Sequence, residues 1–392
     1  MPAERFDQWF MYFPDHYRWS AALALVLGSA PYGGAELGEV DAVGRQLLGR
    51  VGDDEAWFSA WAGMGDTVRE SADAAAASGL TLTAAGGYLR ATSYYHIGER
   101  FRLPKDGPAL GAYRKGVDCF GRYAALIDGA PVERVDVPFE GTHLPAYLTL
   151  PPSSRGPSPC VVFFDGLDIT KELQYVRGVA ELVRRGVGCL VIDGPGNGES
   201  IRFGGLSLRP DYEVAGSAAL DYLAGRPEID AARIGVLGIS LGGYYAARCA
   251  SLERRFAACV CWGAIWDYRA TWERRIVEAF QGAMSVAGDH ICWVLGCDSF
   301  DDALEQLRAY ALDGVVQEMR CPYLLLHGAR DEQIPVSDAE AVFAAVGSSD
   351  KELRIFDERS GGATHCQTDR LSVATVAYAD WFADRLGASG RR

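Results

Sequence analysis

From Val132 onward the chain is a succession of short apolar runs separated by helix-length segments, and that alternation narrows the fold more than any other feature. Cys160–Phe164, Cys189–Ile192, Ile234–Leu237, Ala258–Trp262, Tyr323–Leu326 and Leu353–Phe356 each have the length and character of a buried strand. Strands that alternate with helices in this way form a mostly parallel sheet covered on both faces, so the expected class is α/β. Such sheets hold ligands outside the carboxyl ends of their strands, and the loops that follow these six runs are where chemistry is to be sought.

The first part of the chain has a different period. From about Asp15 to Ile127 the pattern is helical, with Trp57 and Trp61 four apart and Tyr88, Leu89, Tyr95 and Phe101 recurring at near-helical spacing. Strand character begins abruptly at Val132, with Val132–Val137 followed by Leu144–Leu150. We therefore expect a helical domain over 1–128 that closes over the strand ends as a lid, and an α/β domain over 129–392.

One strand carries a chemical signature. Ile234–Leu237 runs into Gly238-Ile239-Ser240-Leu241-Gly242-Gly243, and Tyr244–Ala250 continues as a helix. G-x-S-x-G between a strand and a helix places the serine on a strained turn, with glycines where a β-carbon would collide with neighbouring backbone. Helix N-terminal amides below it favour developing negative charge. Ser240 is the expected nucleophile.

An acid after a later strand and a histidine nearer the C-terminus complete such a site. Strand Tyr323–Leu326 runs into His327-Gly328-Ala329-Arg330-Asp331-Glu332, which nominates Asp331 with Glu332 as its close competitor. Strand Leu353–Phe356 leads to Gly361-Gly362-Ala363-Thr364-His365, so His365 is the expected base, presented in a flexible turn. His16, His96 and His143 precede the serine, while His290 and His327 read as structural residues. The backbone N–H of Leu241 is one expected donor to an oxyanion, and the N–H of Leu167, beside Gly166 in the loop after Cys160–Phe164, is the other.

The turn Asp193-Gly194-Pro195-Gly196-Asn197-Gly198-Glu199-Ser200 lacks the Gly-Lys-Ser/Thr of a phosphate loop and the G-x-G-x-x-G of a dinucleotide site, and reads as a structural turn bordering the pocket. No metal-ligand constellation stands out, and no cofactor is expected.

Gly166-Leu167-Asp168-Ile169-Thr170-Lys171-Glu172, the turn at 193–199, Gly238–Gly243 and Gly362-Ala363-Thr364-His365-Cys366 together resemble one branch of the α/β-hydrolases. That branch includes 2,6-dihydroxypseudooxynicotine hydrolase and fungal yellowish-green polyketide-shortening hydrolases. Arg90-Ala91-Thr92-Ser93-Tyr94-Tyr95 with Glu99-Arg100-Phe101 is similar to its N-terminal domain, so the likeness covers nearly the whole chain. The resemblance implies cleavage of a carbon–carbon bond next to a ketone, and a homodimer. It also implies an extra carboxylate near the serine, for which Asp267 and Glu273 are in range. Where the branch has a double glycine in the oxyanion loop, this chain has Asp165-Gly166. Tyr94, Tyr95, Trp262 and Trp266 are candidates to stack on an aromatic substrate, against the commoner fate of aromatic residues in a core.

The same triad serves ester or thioester hydrolysis, acyl transfer and cyclisation, and the fold alone serves a non-catalytic binder. The expected partner is a small-molecule ketone or ester. A formal net charge of −14 argues against nucleic acid and anionic membrane surfaces. Ten cysteines without framework spacing, and an N-terminus lacking a basic and then apolar start, point to the cytoplasm.

Overall fold

Five helices come first in the computed structural model, which describes residues 10–152, 156–279 and 288–388. They are α1 (Tyr17–Gly28), α2 (Leu37–Leu47), α3 (Asp54–Ala77), α4 (Thr81–Glu99) and α5 (Gly107–Leu126). Their starts are set locally. Asp53 accepts a hydrogen bond from the Ala56 N–H at 2.9 Å and Asp106 one from Ala109 at 3.1 Å, each satisfying an amide that the first turn leaves open. Trp19, Trp57, Trp61 and Tyr94 form the centre of their core. Helix α4 is buried almost all round, because α3 and α5 cover two sides and the sheet domain covers its C-terminal end.

The secondary structure changes between the end of α5 at Leu126 and the start of β1 at Val132. The strands are β1 (Val132–Phe139), β2 (Thr142–Thr149), β3 (Ser158–Phe164), β4 (Gly188–Ile192), β5 (Ile229–Ile239), β6 (Ala258–Trp262), β7 (Tyr323–Gly328) and β8 (Lys351–Phe356). They make one sheet in the order β1-β2-β4-β3-β5-β6-β7-β8. The β1–β2 and β2–β4 pairs are antiparallel and the remaining pairs are parallel.

Every residue of β3, β4 and β6 is buried because helices cover both sheet faces. The two-residue period then sorts side chains into two cores. Val162 and Phe164 pack with Tyr212 and Tyr245 on one face, and Val161 and Phe163 with Tyr378 and Phe382 on the other. At the antiparallel edge, β1 buries Val135, Val137 and Phe139 and exposes alternate residues.

The helical layer docks onto the sheet domain through buried charge. Glu99 at the end of α4 accepts a two-pronged pair from Arg202, at 3.0 and 2.7 Å, and lies 2.9 Å from the Lys105 ammonium. His96 lies 3.5 Å from Glu172. No described helix is long and apolar enough to cross a membrane.

Candidate active site

The turn between β5 and the helix Leu241–Leu252 is strained as its sequence requires. Ser240 has φ +58° and ψ −119°, a region that side chains rarely adopt and that persists only where its surroundings enforce it. A β-carbon on Gly238 would lie 1.8 Å from the Gly242 carbonyl oxygen, and one on Gly243 would lie 1.8 Å from that of Gly263. Neither position tolerates a side chain, so both glycines are structural conditions of the turn.

The Ser240 hydroxyl lies 3.0 Å from His365 Nε2, and His365 Nδ1 lies 2.7 Å from Asp331 Oδ2. With Nδ1–H donating to the carboxylate, Nε2 is left to accept the serine proton. The other oxygen of Asp331 accepts the N–H groups of Gln333 and Ile334, both at 2.9 Å, which fixes the carboxylate plane. Burial works against the His365 imidazolium, but the Asp331 carboxylate outweighs it, so His365 titrates above its ordinary value. Burial likewise opposes the Asp331 carboxylate, and His365, with smaller help from His327 and the Ile334 amide, holds it below the usual range. His327 is buried below this pair, with Nε2 on the Ile334 carbonyl at 2.9 Å.

The histidine loop is pinned, which corrects the expectation of a flexible turn. Asp369 accepts from the N–H groups of Gly362, Ala363 and Thr364 at 2.7, 3.2 and 3.1 Å and from the Thr364 hydroxyl at 2.6 Å. Four donors on one carboxylate leave the loop little freedom.

A cavity with about 950 Å³ of free space, its open mouth included, lies over this line of residues. Ser240, Leu241, His365, Gly166 and Leu167 all border it. A β-carbon on Gly166 would lie 3.2 Å from the Ile239 carbonyl and 3.3 Å from the Ser240 β-carbon, so glycine lets this loop approach Ser240 closely. The Gly-rich turn after β4 holds the loop in place: Asn197 Nδ2 donates to the Gly166 carbonyl at 2.5 Å. Beneath it, Asp193 accepts from the Lys171 and Glu199 N–H groups, both at 2.9 Å, and pairs with the Lys171 ammonium at 2.8 Å. The two motifs at 166–172 and 193–199 are therefore one interlocked unit.

The profile of a family described as "Esterase FrsA-like" matches residues 47–359. The chain belongs to the FrsA-like family. This FrsA-like chain is 34% identical over 367 residues to "Hydrolase acrC" of Aspergillus aculeatus, covering 82% of this chain and 85% of that one. It is 31% identical to "20-hydroxy-prefusarin hydrolase FUS2" of Gibberella moniliformis, covering 91% and 93%. Among solved structures, 2,6-dihydroxy-pseudo-oxynicotine hydrolase superposes with a TM-score of 0.78 at 26% identity, over 93% of this chain and 97% of that one. The FrsA-like chain is thus an enzyme of the α/β-hydrolase fold.

Several expected substrate contacts lie elsewhere. The Tyr94 and Tyr95 hydroxyls donate to Glu39 and Asp66, both at 2.6 Å, inside the helical layer. Trp262 is fully buried, with its indole N–H on Gln367 at 2.5 Å. Trp266 packs beside the sheet core and its N–H faces Asp338. Asp267 caps the following helix through the Ala270 N–H at 3.0 Å, and Glu273 is an exposed partner of Arg269 at 2.7 Å. None of the six borders the cavity.

What borders it instead is one face of α1, namely Tyr17, Ala21, Ala24 and Leu25, together with Arg100, Arg177 and Arg275. The spacing of the α1 residues is that of a single helical face, a signal present in the sequence. Nothing local marked the arginines. Arg177 lies in a one-turn π-helix, Tyr175–Val179, a distortion that often accompanies functional sites.

Proposed function

We propose that this chain is a serine hydrolase that breaks a carbon–carbon bond beside a ketone, in a β-diketone or acyl-phenol substrate. The observation that carries the reading is the hydrogen-bonded line Asp331–His365–Ser240 opening onto a cavity bordered by the Gly166–Leu167 loop. Carbon–carbon chemistry is supported by the motif resemblance and by the likeness to 2,6-dihydroxy-pseudo-oxynicotine hydrolase across nearly the whole chain.

In this mechanism Ser240 Oγ adds to the ketone carbon as its proton passes to His365 Nε2. The carbonyl oxygen becomes an alkoxide facing the N–H groups of Leu241 and Leu167, each such donor being worth about 3 kcal/mol of transition-state stabilisation. The alkoxide collapses, the carbon–carbon bond breaks, and its electron pair leaves as an enolate or ring carbanion that takes the proton from His365. Water, deprotonated by His365, then releases the acid from Ser240. Asp331 stabilises the imidazolium in both halves.

An ester is the second substrate class, favoured by the family's description as esterases. Only the leaving group differs, because an alkoxide takes the same proton. Two isomeric substrates separate the readings: an aryl ester and the corresponding hydroxyaryl ketone, followed by mass spectrometry with wild type and Ser240→Ala. Ketone cleavage that the variant lacks supports the first reading. Cleavage of the ester alone replaces it with the second.

A further inference from the structure

Two of the three arginines in the cavity wall have no anionic partner among the described residues. Arg100 donates from Nε to Asp168 at 2.6 Å, and Asp168 is the one carboxylate in the wall among the described residues, so that pair is neutral as a unit. Arg177 and Arg275 are 4% and 8% exposed, and among the described residues neither lies within salt-bridge distance of a carboxylate. Each is seated on a tryptophan instead. The Arg177 guanidinium carbon lies 5.9 Å from the centre of the Trp262 ring, and that of Arg275 lies 5.3 Å from the centre of Trp272. A cation–π seat fixes the plane of a guanidinium without supplying a counter-charge.

Asp165 is the acid that would bear on the Arg177 charge, and its surroundings work against its carrying one of its own. Asp165 is fully buried with both oxygens lacking a hydrogen-bond partner, and burial together with Asp193 pushes its carboxyl well above the usual range. Nor does composition explain the excess of cations, since the chain as a whole carries a formal charge of −14. Burying two guanidinium groups without a counter-charge is costly, and an oxyanion placed between them offsets that cost.

We propose that the cavity binds a substrate carrying an anionic oxygen group, a carboxylate or an ionised 1,3-dicarbonyl, held by Arg177 and Arg275. This deepens the proposed function by naming the charge of the substrate, and it rests on the cavity over Ser240 being the substrate site. A carboxylate and an ionised 1,3-dicarbonyl share one recognition chemistry, a planar anion with charge divided over two oxygens, which suits the fork of a guanidinium.

The test is calorimetric titration of the full-length Ser240→Ala protein with 4-acetylbenzoate, neutral 4-acetylbenzamide and ionised cyclohexane-1,3-dione. At least one anion is expected to bind about 10-fold or more tightly than the carboxamide, the usual scale for a charged hydrogen bond. Which anion does so identifies the source of the charge. Adding Arg177→Gln or Arg275→Gln is expected to narrow that ratio to about twofold, and Arg275→Lys to keep part of it. Thermal melts check folding, and if one glutamine variant does not fold, the other and the lysine variant carry the comparison. Equal binding of all three probes, or a preference that persists in both glutamine variants, overturns the proposal. Because the titration reads binding and not turnover, the result is independent of whether the enzyme splits ketones or esters.

Discussion

The floor and the roof of the cavity are built on opposite principles. The floor consists of Ser240, Asp331 and His365, each on a loop directly after a strand of the sheet and each locked by contacts within a few residues: the strained turn at 238–243, the Gln333 and Ile334 amides, and the Asp369 carboxylate. The roof and walls come from α1, the end of α4, a π-turn and the helix after β6, regions far apart in sequence, of which the end of α4 is tied to the sheet side by buried ion pairs. Chemistry that must hold three atoms in line is placed on rigid, locally determined loops. On the proposed reading, selectivity is assembled from distant parts, where exchange of one side chain leaves the chemistry in place.

That contrast can be broken most directly at the floor. Ser240→Ala is expected to lower kcat by about 10⁵- to 10⁶-fold with the fold unchanged by circular dichroism. Residual turnover within tenfold of wild type sinks the serine mechanism. Asp331→Asn is expected to cost about 10⁴-fold, since an amide no longer holds the required tautomer. It also carries a pH signature. The carboxylate raises His365, and the base works only when neutral, so wild-type kcat/KM climbs with pH as His365 loses its proton; in Asp331→Asn that rise moves to lower pH.

Glu99→Gln attacks the attachment of the roof. It leaves Arg202 and Lys105 buried beside a neutral amide, and a loss of about 3–5 kcal/mol of stability is expected in denaturant unfolding. The paired Glu99 carboxyl is held down at about 2, below its unfolded value. Its contribution is therefore complete above the unfolded carboxylate range and is lost as pH falls towards 2, so wild type and variant should converge in stability in strong acid. Asn197→Ala removes the donor that pins the Gly166 carbonyl, and a fall in kcat equivalent to about 1–3 kcal/mol is expected with little change in KM. A rise in KM alone would assign the turn to the roof instead. Glu273→Gln, exposed and away from the cavity, should change activity and stability by no more than about 0.5 kcal/mol. A loss of 100-fold would restore it as the extra carboxylate.

The sheet strands were legible because burial on both faces demands continuous apolar runs, and Ala258–Trp262 is a strand with those same limits. The meeting of Ser240, Asp331 and His365 was legible for a related reason: candidates for such a site must each follow a strand end, in a fixed order. Tyr94 and Tyr95 misled because α4 is covered on nearly every side, so its aromatic residues serve a core rather than a pocket. Asp267 and Glu273 misled because sequence distance from the serine does not say which way a helix turns its side chains.

By itself, then, the sequence determined the parallel sheet, the strained serine turn and the candidates for acid and base, since each rests on spacing and backbone constraints a few residues long. Only the tertiary structure decided that one face of α1 borders the cavity, that Asn197 fastens the Gly166 loop, and that Arg177 and Arg275 stand without carboxylate partners among the described residues. Those facts depend on which side chains meet across distances in sequence that run from 31 residues, for Asn197 and Gly166, to more than two hundred, for α1 and Ser240, and packing and charge pairing at that range leave no periodic trace in the sequence.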